Sequence, residues 1–137
     1  MPADPAPDTL HRLGGAEGLR RIVDRFYDLV AADPVLAPLF PADLTETRDK
    51  QWAYFVEFFG GPKLYSERHG KPFLRFKHRR VTIGRPERDA WMACLGAALR
   101  AEVADEALVA EVEARVAPIA DAMVNHRPGQ QDAYYFR

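Results

Sequence analysis

Residues 73–84 read FLRFKHRRVTIG and combine features that conflict in a simple surface or core segment. One histidine, His78, lies among four cationic residues, and Phe, Leu, Val and Ile are interleaved with them. A solvated basic surface does not need the aromatic residues. A buried apolar surface does not tolerate unpaired cations, because burying a charge without a partner costs free energy. The segment therefore predicts a partner that is both apolar and anionic.

The composition is that of one globular domain with an uneven distribution of charge. The chain has 137 residues, of which 47% are hydrophobic and 28% are charged, and its net charge is −1. A chain of this size can bury about two thirds of its unfolded surface. The neutral total argues against a general nucleic-acid-binding protein. One stretch is nevertheless cationic and contains no acidic residue: it carries Arg68, Lys71, Arg75, Lys77, Arg79, Arg80 and Arg85.

The two ends of the chain and its single cysteine predict a soluble cytoplasmic domain. Residues 1–9 and 127–137 are expected to be tails around a domain at 10–126. The first residues lack the basic start and apolar core of a secretory signal. No stretch approaches the roughly 18 apolar residues of a membrane span. Cys94 cannot form an intramolecular disulfide, fits a reducing compartment, and is expected to pack as a small apolar residue.

The spacing of the apolar residues predicts an all-α fold, because no alternating run is long enough for a strand. Asp43 and Glu46 have the spacing of a capping box at the start of the second long helix. Residues 60–72, rich in Gly and Pro, are predicted to form a loop. Pro118 is expected to kink the last helix. The predicted helices are 16–32, 44–59, 72–79, 86–103 and a last one from about 105, with a short turn in 35–40.

Polar residues occupy the face of the second long helix that the periodicity assigns to the core. Thr47 and Gln51 lie one turn apart on this face, together with Tyr54 and Phe58. Lys50 lies at the edge of the same sector, where its stem can follow apolar surface and place its ammonium group at the rim. A polar pair on a core face needs hydrogen-bond partners there. This face therefore predicts either a satisfied core or a ligand.

Three predicted helices each direct one hydrogen-bond donor inward. Tyr27 lies near the buried face of the first long helix, Gln51 is on the second, and Trp91 begins the fourth. A buried Tyr or Trp taken alone is usually a core residue whose polar atom has found a partner. The coincidence of three donors on three helices indicates a polar ligand between them.

His78 predicts a particular kind of metal site. No second His, Asp or Glu stands at metal-ligand spacing around it, which argues against zinc and di-iron centres. A single histidine ligand suits haem, because the porphyrin supplies the other four nitrogens. Haem is also a flat apolar disc with two carboxylates on its edge. It matches the partner that residues 73–84 require.

Three segments resemble the truncated haemoglobins, specifically group II. They read FYDLVAADPVLAPLFPADLTETRDKQ, FFGGPKLYSERHGKPFLRFKH and ERDAWMACL, and the similarity extends over about residues 13–126. The resemblance implies a shortened globin, a two-over-two helical sandwich around a haem. It also implies that His78 is the proximal ligand of the iron and that Tyr27 and Trp91 are distal residues.

The resemblance assigns further residues to the pocket. Thr47 and Gln51 match the two distal-helix positions that face the ligand, and Phe40 matches a pocket corner where many relatives carry Tyr. Where relatives follow the proximal histidine with a small residue, Pro and Phe, this chain has residues 79–81 as RRV, so the loop after His78 is expected to be less constrained. The residues implied to bind haem are Thr47, Lys50, Tyr65, Arg75, Phe76 and Lys77.

These features predict a protein that binds haem b and reversibly takes up O2 or other diatomic ligands with slow release, in scavenging, sensing or redox chemistry. Peroxidase-like and nitric oxide dioxygenase-like catalysis are alternatives, and they leave enzymatic activity open. Neither His69 nor His11 is expected to act as a distal base. A further alternative is a haem-free module that binds phosphate or RNA through residues 68–85, which the neutral charge disfavours. We expect no membrane partner, an unidentified reductase, and a monomer or homodimer.

Overall fold

The protein, described here by a computed structural model of residues 8–126, has seven α-helices and no strand within that range. Most of the predicted tail 1–9 and all of 127–137 lie outside the described residues. A short 3₁₀ turn, Ala37–Leu39, separates the second and third helices. The helices are α1 (Thr9–Arg12), α2 (Gly15–Ala32), α3 (Thr45–Phe58), α4 (Leu64–His69), α5 (Leu74–Lys77), α6 (Arg85–Glu102) and α7 (Glu106–Met123).

Two helix pairs form the framework. Helix α2 packs against α3 and against α6, and α6 packs against α7. The short helix α5, which ends just before His78, packs mainly against α7. The largest fully buried side chains come from both pairs and include Phe26, Phe59, Leu95, Leu99 and Leu108. The burial of these apolar side chains is the main stabilising contribution to the domain.

Two short helices were not predicted, and both are held by contacts with distant residues. In α1, the Leu10 amide donates to the Phe59 carbonyl over 3.3 Å, and the buried Thr9 hydroxyl donates to Glu111. Thr9 therefore belongs to the folded part of the chain. Helix α4 occupies residues 64–69 of the predicted loop 60–72, so the prediction is wrong for those six residues. The Ser66 amide in this helix donates to the Glu57 carboxylate over 2.9 Å.

The long helices begin and end close to the predicted residues, although one predicted cap is wrong. The N-cap of α3 is Leu44, and the Asp43 carboxylate accepts from the Thr45 amide rather than forming a box with Glu46. Glu46 instead pairs with a lysine one turn later. Helix α7 begins close to the predicted residue 105, where Asp105 is the N-cap and accepts from two amides of the first turn. That helix continues through Pro118 to Met123.

Gly18 lies where α1 and α2 meet, and no larger residue fits there. A Cβ at this position would lie 2.3 Å from the backbone carbonyl oxygen of Leu13. We expect Gly18→Ala to lower the free energy of unfolding by about 1–3 kcal/mol, because the backbone of the corner must move. Gly96→Ala is the matched control, since its Cβ would meet only the ends of the Arg100 and Glu113 side chains. Urea unfolding followed by circular dichroism measures both; equal losses would contradict this account of the corner.

Two further predictions concern Cys94 and membrane-spanning helices. Cys94 is buried, as predicted, and burial raises the pKa of its thiol. The thiol therefore stays protonated and packs as an apolar group. Within residues 8–126, no helix combines the length and the apolar character needed to cross a membrane.

Candidate functional site

His78 directly follows α5, and its ring is oriented by that helix. Its Nδ1 lies 2.7 Å from the carbonyl oxygen of Leu74, one turn earlier. A carbonyl can only accept, so Nδ1 carries the proton and Nε2 keeps its lone pair. This is the tautomer that metal-ligating histidines use, with the second nitrogen fixed by a hydrogen bond. The side chain is half-buried. The local geometry therefore fits the predicted role of an axial ligand.

The loop after His78 is held by a residue from the end of α7. Asn125 is 8% exposed, and its amide nitrogen donates to the carbonyl of Val81 over 2.7 Å and to that of His78 over 3.4 Å. Its side-chain oxygen accepts from the Ile83 amide over 2.8 Å. The backbone N–H of Asn125 also donates to the Ile83 carbonyl. The expectation of a less constrained loop is therefore wrong. Hydrogen bonds from Asn125 constrain this loop, although it lacks the proline that relatives have there.

Removing the Asn125 side chain should loosen this loop and the histidine before it. We expect Asn125→Ala to lower the free energy of unfolding by about 2–4 kcal/mol, since it removes three hydrogen bonds and leaves a half-buried amide unpaired. Thr82→Ala is the matched control, because this half-buried threonine lies in the same loop. Denaturant unfolding gives the stabilities. In the haem-loaded protein, the iron–histidine stretching band should also shift or broaden for Asn125→Ala only; an unchanged band would contradict a positioning role.

Tyr27 lies on α2 with its hydroxyl in the interior. The side chain is 3% exposed, and its ring contacts Phe26 at 4.8 Å and Phe40 at 5.8 Å between centroids. Burial raises the pKa of the phenol far above its ordinary value, although nearby Arg48 opposes this. The group therefore remains an O–H donor at physiological pH. Its hydroxyl donates to Gln51 over 3.4 Å, a long contact that an incoming acceptor can replace at little cost.

Trp91 and Gln51 are the other members of the predicted donor set; Trp91 packs against Phe26, and Gln51 contacts Tyr27. The Trp91 ring meets Phe26 edge-on at 5.1 Å, so α2 and α6 place Tyr27 and Trp91 against the same ring. Within residues 8–126 the indole N–H makes no hydrogen bond. Gln51 joins the set through its contact with Tyr27, and its amide nitrogen remains available. The structure therefore joins Tyr27 with Gln51 and places Trp91 against the residue next to Tyr27; that the three donate to one ligand stays a prediction.

The face of α3 that carries Thr47 and Gln51 is not the core face, so that assignment is wrong. Both residues are half-buried, as are Tyr54 and Phe58, while the buried residues of the helix are Ala53, Phe55 and Val56. A face that alternates polar and apolar residues at intermediate exposure suits a ligand cleft better than a packed core. Lys50 lies beside it and pairs with Glu46, whose carboxylate is 2.8 Å from the ammonium group.

Tyr65, Lys77 and His69 meet at one edge of this region. The Lys77 ammonium group donates to the buried Tyr65 hydroxyl over 2.8 Å. The His69 ring lies 5.0 Å from that of Tyr65, and its Nε2 is buried without a hydrogen-bond partner among the described residues. An unpaired buried nitrogen costs about 1–3 kcal/mol. The sequence analysis considered His69 only as a distal base and rejected that role. The spacing of four residues from Tyr65 on one helix could have placed the two side chains next to each other.

Arg75 and Phe76 do not join the group of Tyr65, Lys77 and His69. They line a surface pocket together with Arg79, Met123 and Asn125. The Phe76 ring is 62% exposed and lies under the Arg79 guanidinium, whose carbon is 3.7 Å from the ring centroid. The predicted contacts of Arg75 and Phe76 with haem therefore remain predictions.

The donor set fits a haem group. Within residues 8–126 no three His, Cys, Asp or Glu residues come together as a metal site. A single histidine such as His78 suits haem, because the porphyrin supplies four further nitrogens. The unpaired His69 nitrogen, Lys77 and Tyr65 offer hydrogen-bond donors at one edge, as two carboxylates require. The half-buried aromatic face of α3 offers apolar contact to a flat ring.

Comparison with known proteins identifies the chain as a globin. The family model of bacterial-like globins matches residues 9–125. The chain belongs to the bacterial-like globin family. Membership implies a haem cofactor. The chain is 47% identical to the group 2 truncated haemoglobin YjbI of Bacillus subtilis over 81 residues, which are 59% of this chain. The alignment spans 61% of the length of that relative.

Solved structures of globins confirm the two-over-two fold. The haemoglobin of the thermophilic phototrophic bacterium Chloroflexus aurantiacus is 42% identical, with a TM-score of 0.82 over 88% of this chain and 100% of that one. The truncated oxygen-avid haemoglobin of Bacillus subtilis is 38% identical, with a TM-score of 0.81 over 85% of this chain and 98% of that one. The resemblance to group II truncated haemoglobins is confirmed by these relatives.

Proposed function

We propose that this globin binds haem b, iron protoporphyrin IX, and reversibly takes up O2 and other diatomic ligands with slow release. The observation that carries the proposal is the buried Tyr27 hydroxyl, which contacts Gln51 of α3, while Trp91 of α6 packs against the neighbouring ring of Phe26. The structural relative from Bacillus subtilis is described as oxygen-avid, which supports it. When bound, such a group would supply an iron that takes up a diatomic ligand.

The residues divide into one iron ligand and a set of hydrogen-bond donors. His78 would hold the iron through Nε2, with its proton kept on Nδ1 by the Leu74 carbonyl. Tyr27, Gln51 and Trp91 would donate hydrogen bonds to a bound ligand that carries partial negative charge. Hydrogen bonds to charged groups contribute about 1.5–3 kcal/mol each. Two of them slow ligand release enough to suit scavenging, sensing or redox chemistry better than delivery.

The contacts at the edge suggest how the carboxylates of the group are held. Lys77 and Tyr65 already form a pair there, and Lys50 can exchange Glu46 for a carboxylate because both side chains are largely exposed. Thr47 lies on the half-buried face of α3, and Phe40 closes the corner beside Tyr27. We also infer a cytoplasmic location and an unidentified reductase that keeps the iron ferrous.

The selectivity of the pocket tests this proposal. O2 acquires more negative charge on binding than carbon monoxide does, so the donors should favour O2 selectively. We expect the triple variant Tyr27→Phe, Gln51→Leu, Trp91→Phe to lose at least about 100-fold in O2 affinity, the effect of two donors. Its carbon monoxide affinity should change by less than about tenfold. Equal losses for both gases would contradict a donor role and would indicate a general disturbance of the pocket.

A further inference from the structure

Most arginines of the described chain pair with carboxylates, whereas the cations next to His78 do not. Eight arginines outside this region pair with carboxylates: Arg12, Arg20, Arg21, Arg25, Arg48, Arg68, Arg88 and Arg100. Near His78, by contrast, no carboxylate of residues 8–126 lies within ion-pair distance of the cations. Because a neutral chain has enough acidic residues to pair them, their isolation is a property of this surface. The unpaired residues are Lys71, Arg75, Arg79 and Arg80, and we call them, with Phe73 and Phe76, the proximal basic patch.

Haem carboxylates do not account for the whole patch. A haem carries two carboxylates, and the edge residues Lys77, Tyr65 and His69 are placed to take at least one of them. Even if Arg75 takes the other, three cations of the patch keep no anion. A second anionic partner is therefore needed to complement this surface.

Two exposed aromatic residues belong to the same patch. Phe73 is 64% exposed and Phe76 is 62% exposed, and these are the most exposed large apolar residues of the described chain. Phe73 also has a left-handed backbone, with φ of +43°, which is costly for a residue with a bulky side chain. The Arg79 guanidinium stacks on Phe76. Arginine and aromatic side chains are enriched at protein–protein interfaces, so the patch has the composition of a docking surface.

The position of the patch indicates what docks there. Its residues flank His78 in the sequence, and Arg75, Phe76 and Arg79 line one pocket with Asn125, which holds the loop after His78. A globin that carries a ferrous iron needs a source of electrons whenever the iron becomes ferric. Interfaces for electron transfer are small and rely on opposite charges to guide brief encounters. A cationic surface with two apolar contacts beside the iron ligand fits an acidic partner of this kind.

We propose that the proximal basic patch docks an acidic electron-transfer protein that carries an iron–sulfur or flavin centre. The donor is oxidised by one electron and the ferric iron becomes ferrous, with no bond made or broken in this chain. The inference rests on the proposed function, because it requires a haem iron near His78.

Charge reversal within the patch tests the inference. The ferric, haem-loaded protein is mixed with a reduced plant-type ferredoxin and, separately, with a reduced flavodoxin, both acidic. We expect Arg80→Glu to slow the second-order reduction by at least about tenfold at low salt, and the wild-type rate to fall steeply as salt rises. Lys63→Glu makes the same change of charge outside the patch and should stay within about twofold. Calorimetric titration with the oxidised donors should give the same ranking of affinities.

The other outcomes are decisive as well. Photoreduced riboflavin, a small donor with no protein surface to dock, should reduce all three proteins at similar rates, which separates docking from damage to the haem site. Equal ferredoxin and flavodoxin rates for wild type and Arg80→Glu, or rates independent of salt, would overturn the proposal. Tighter binding of a single-stranded oligonucleotide than of either donor would assign the patch to nucleic acid instead. A protein that takes up no haem would refute the proposed function, while titration with the donors would still measure docking.

Discussion

His78→Ala is expected to abolish tight haem binding. Loss of a group that merely orients a metal ligand costs 10–100-fold in metal affinity, so loss of the ligand itself should cost at least about 100-fold. The expected cost to folding is small, because the side chain is half-buried and its one described hydrogen bond is to the carbonyl of Leu74. Titration of the purified protein with haemin, followed in the Soret region, measures the affinity. His11→Ala is the control, because His11 is exposed on α1.

Free imidazole separates ligation from folding in this experiment. If His78 acts as an axial ligand, imidazole added to His78→Ala should enter the space left by the ring and restore much of the wild-type spectrum. If the substitution acts by disturbing α5, imidazole should have no effect. Haem binding by His78→Ala that equals the wild type would refute the axial assignment.

Tyr27→Phe is expected to speed the release of O2 by roughly 10–150-fold. This range follows from a hydrogen bond of about 1.5–3 kcal/mol to a ligand that carries partial charge. Because burial raises the pKa of the phenol, the group is a protonated donor and the effect should not vary between about pH 6 and 9. Stopped-flow displacement of O2 by carbon monoxide gives the rate.

The folded state should tolerate this substitution. The hydroxyl makes one described hydrogen bond, which is 3.4 Å long, and the ring contacts with Phe26 and Phe40 are kept by phenylalanine. The free energy of unfolding should therefore change by less than about 1 kcal/mol. Trp91→Phe should also speed release. An unchanged rate for Tyr27→Phe would remove Tyr27 from the donor set.

The sequence was sufficient for the long helices and for the donors they carry. Helices α2, α6 and α7 have strong periodicity and recognisable ends, such as Asp105 at the start of α7. Tyr27 and Trp91 follow once these helices are placed, because helical spacing fixes which side chains share a face. The hydrogen bond of the His78 ring can also be predicted from the sequence, since it joins residues one helical turn apart.

The parts that sequence missed depend on contacts between distant residues. A helix of four to six residues is unstable alone, so α1 and α4 exist through contacts such as Leu10 with Phe59 and Ser66 with Glu57. The loop after His78 is held by Asn125, which no local pattern connects with it. On α3, periodicity identified a face with mixed polarity but could not distinguish a packed core from a ligand cleft.

The absorption spectrum of the purified protein tests the central claim most directly. It should be recorded for the protein as isolated, or after addition of haemin, then after reduction and then after exposure to O2. We predict a Soret band that shifts on reduction and shifts again with O2, and that returns to the reduced position when O2 is removed. A protein that stays colourless after haemin is added, or a reduced spectrum that does not respond to O2, would contradict the account of this site.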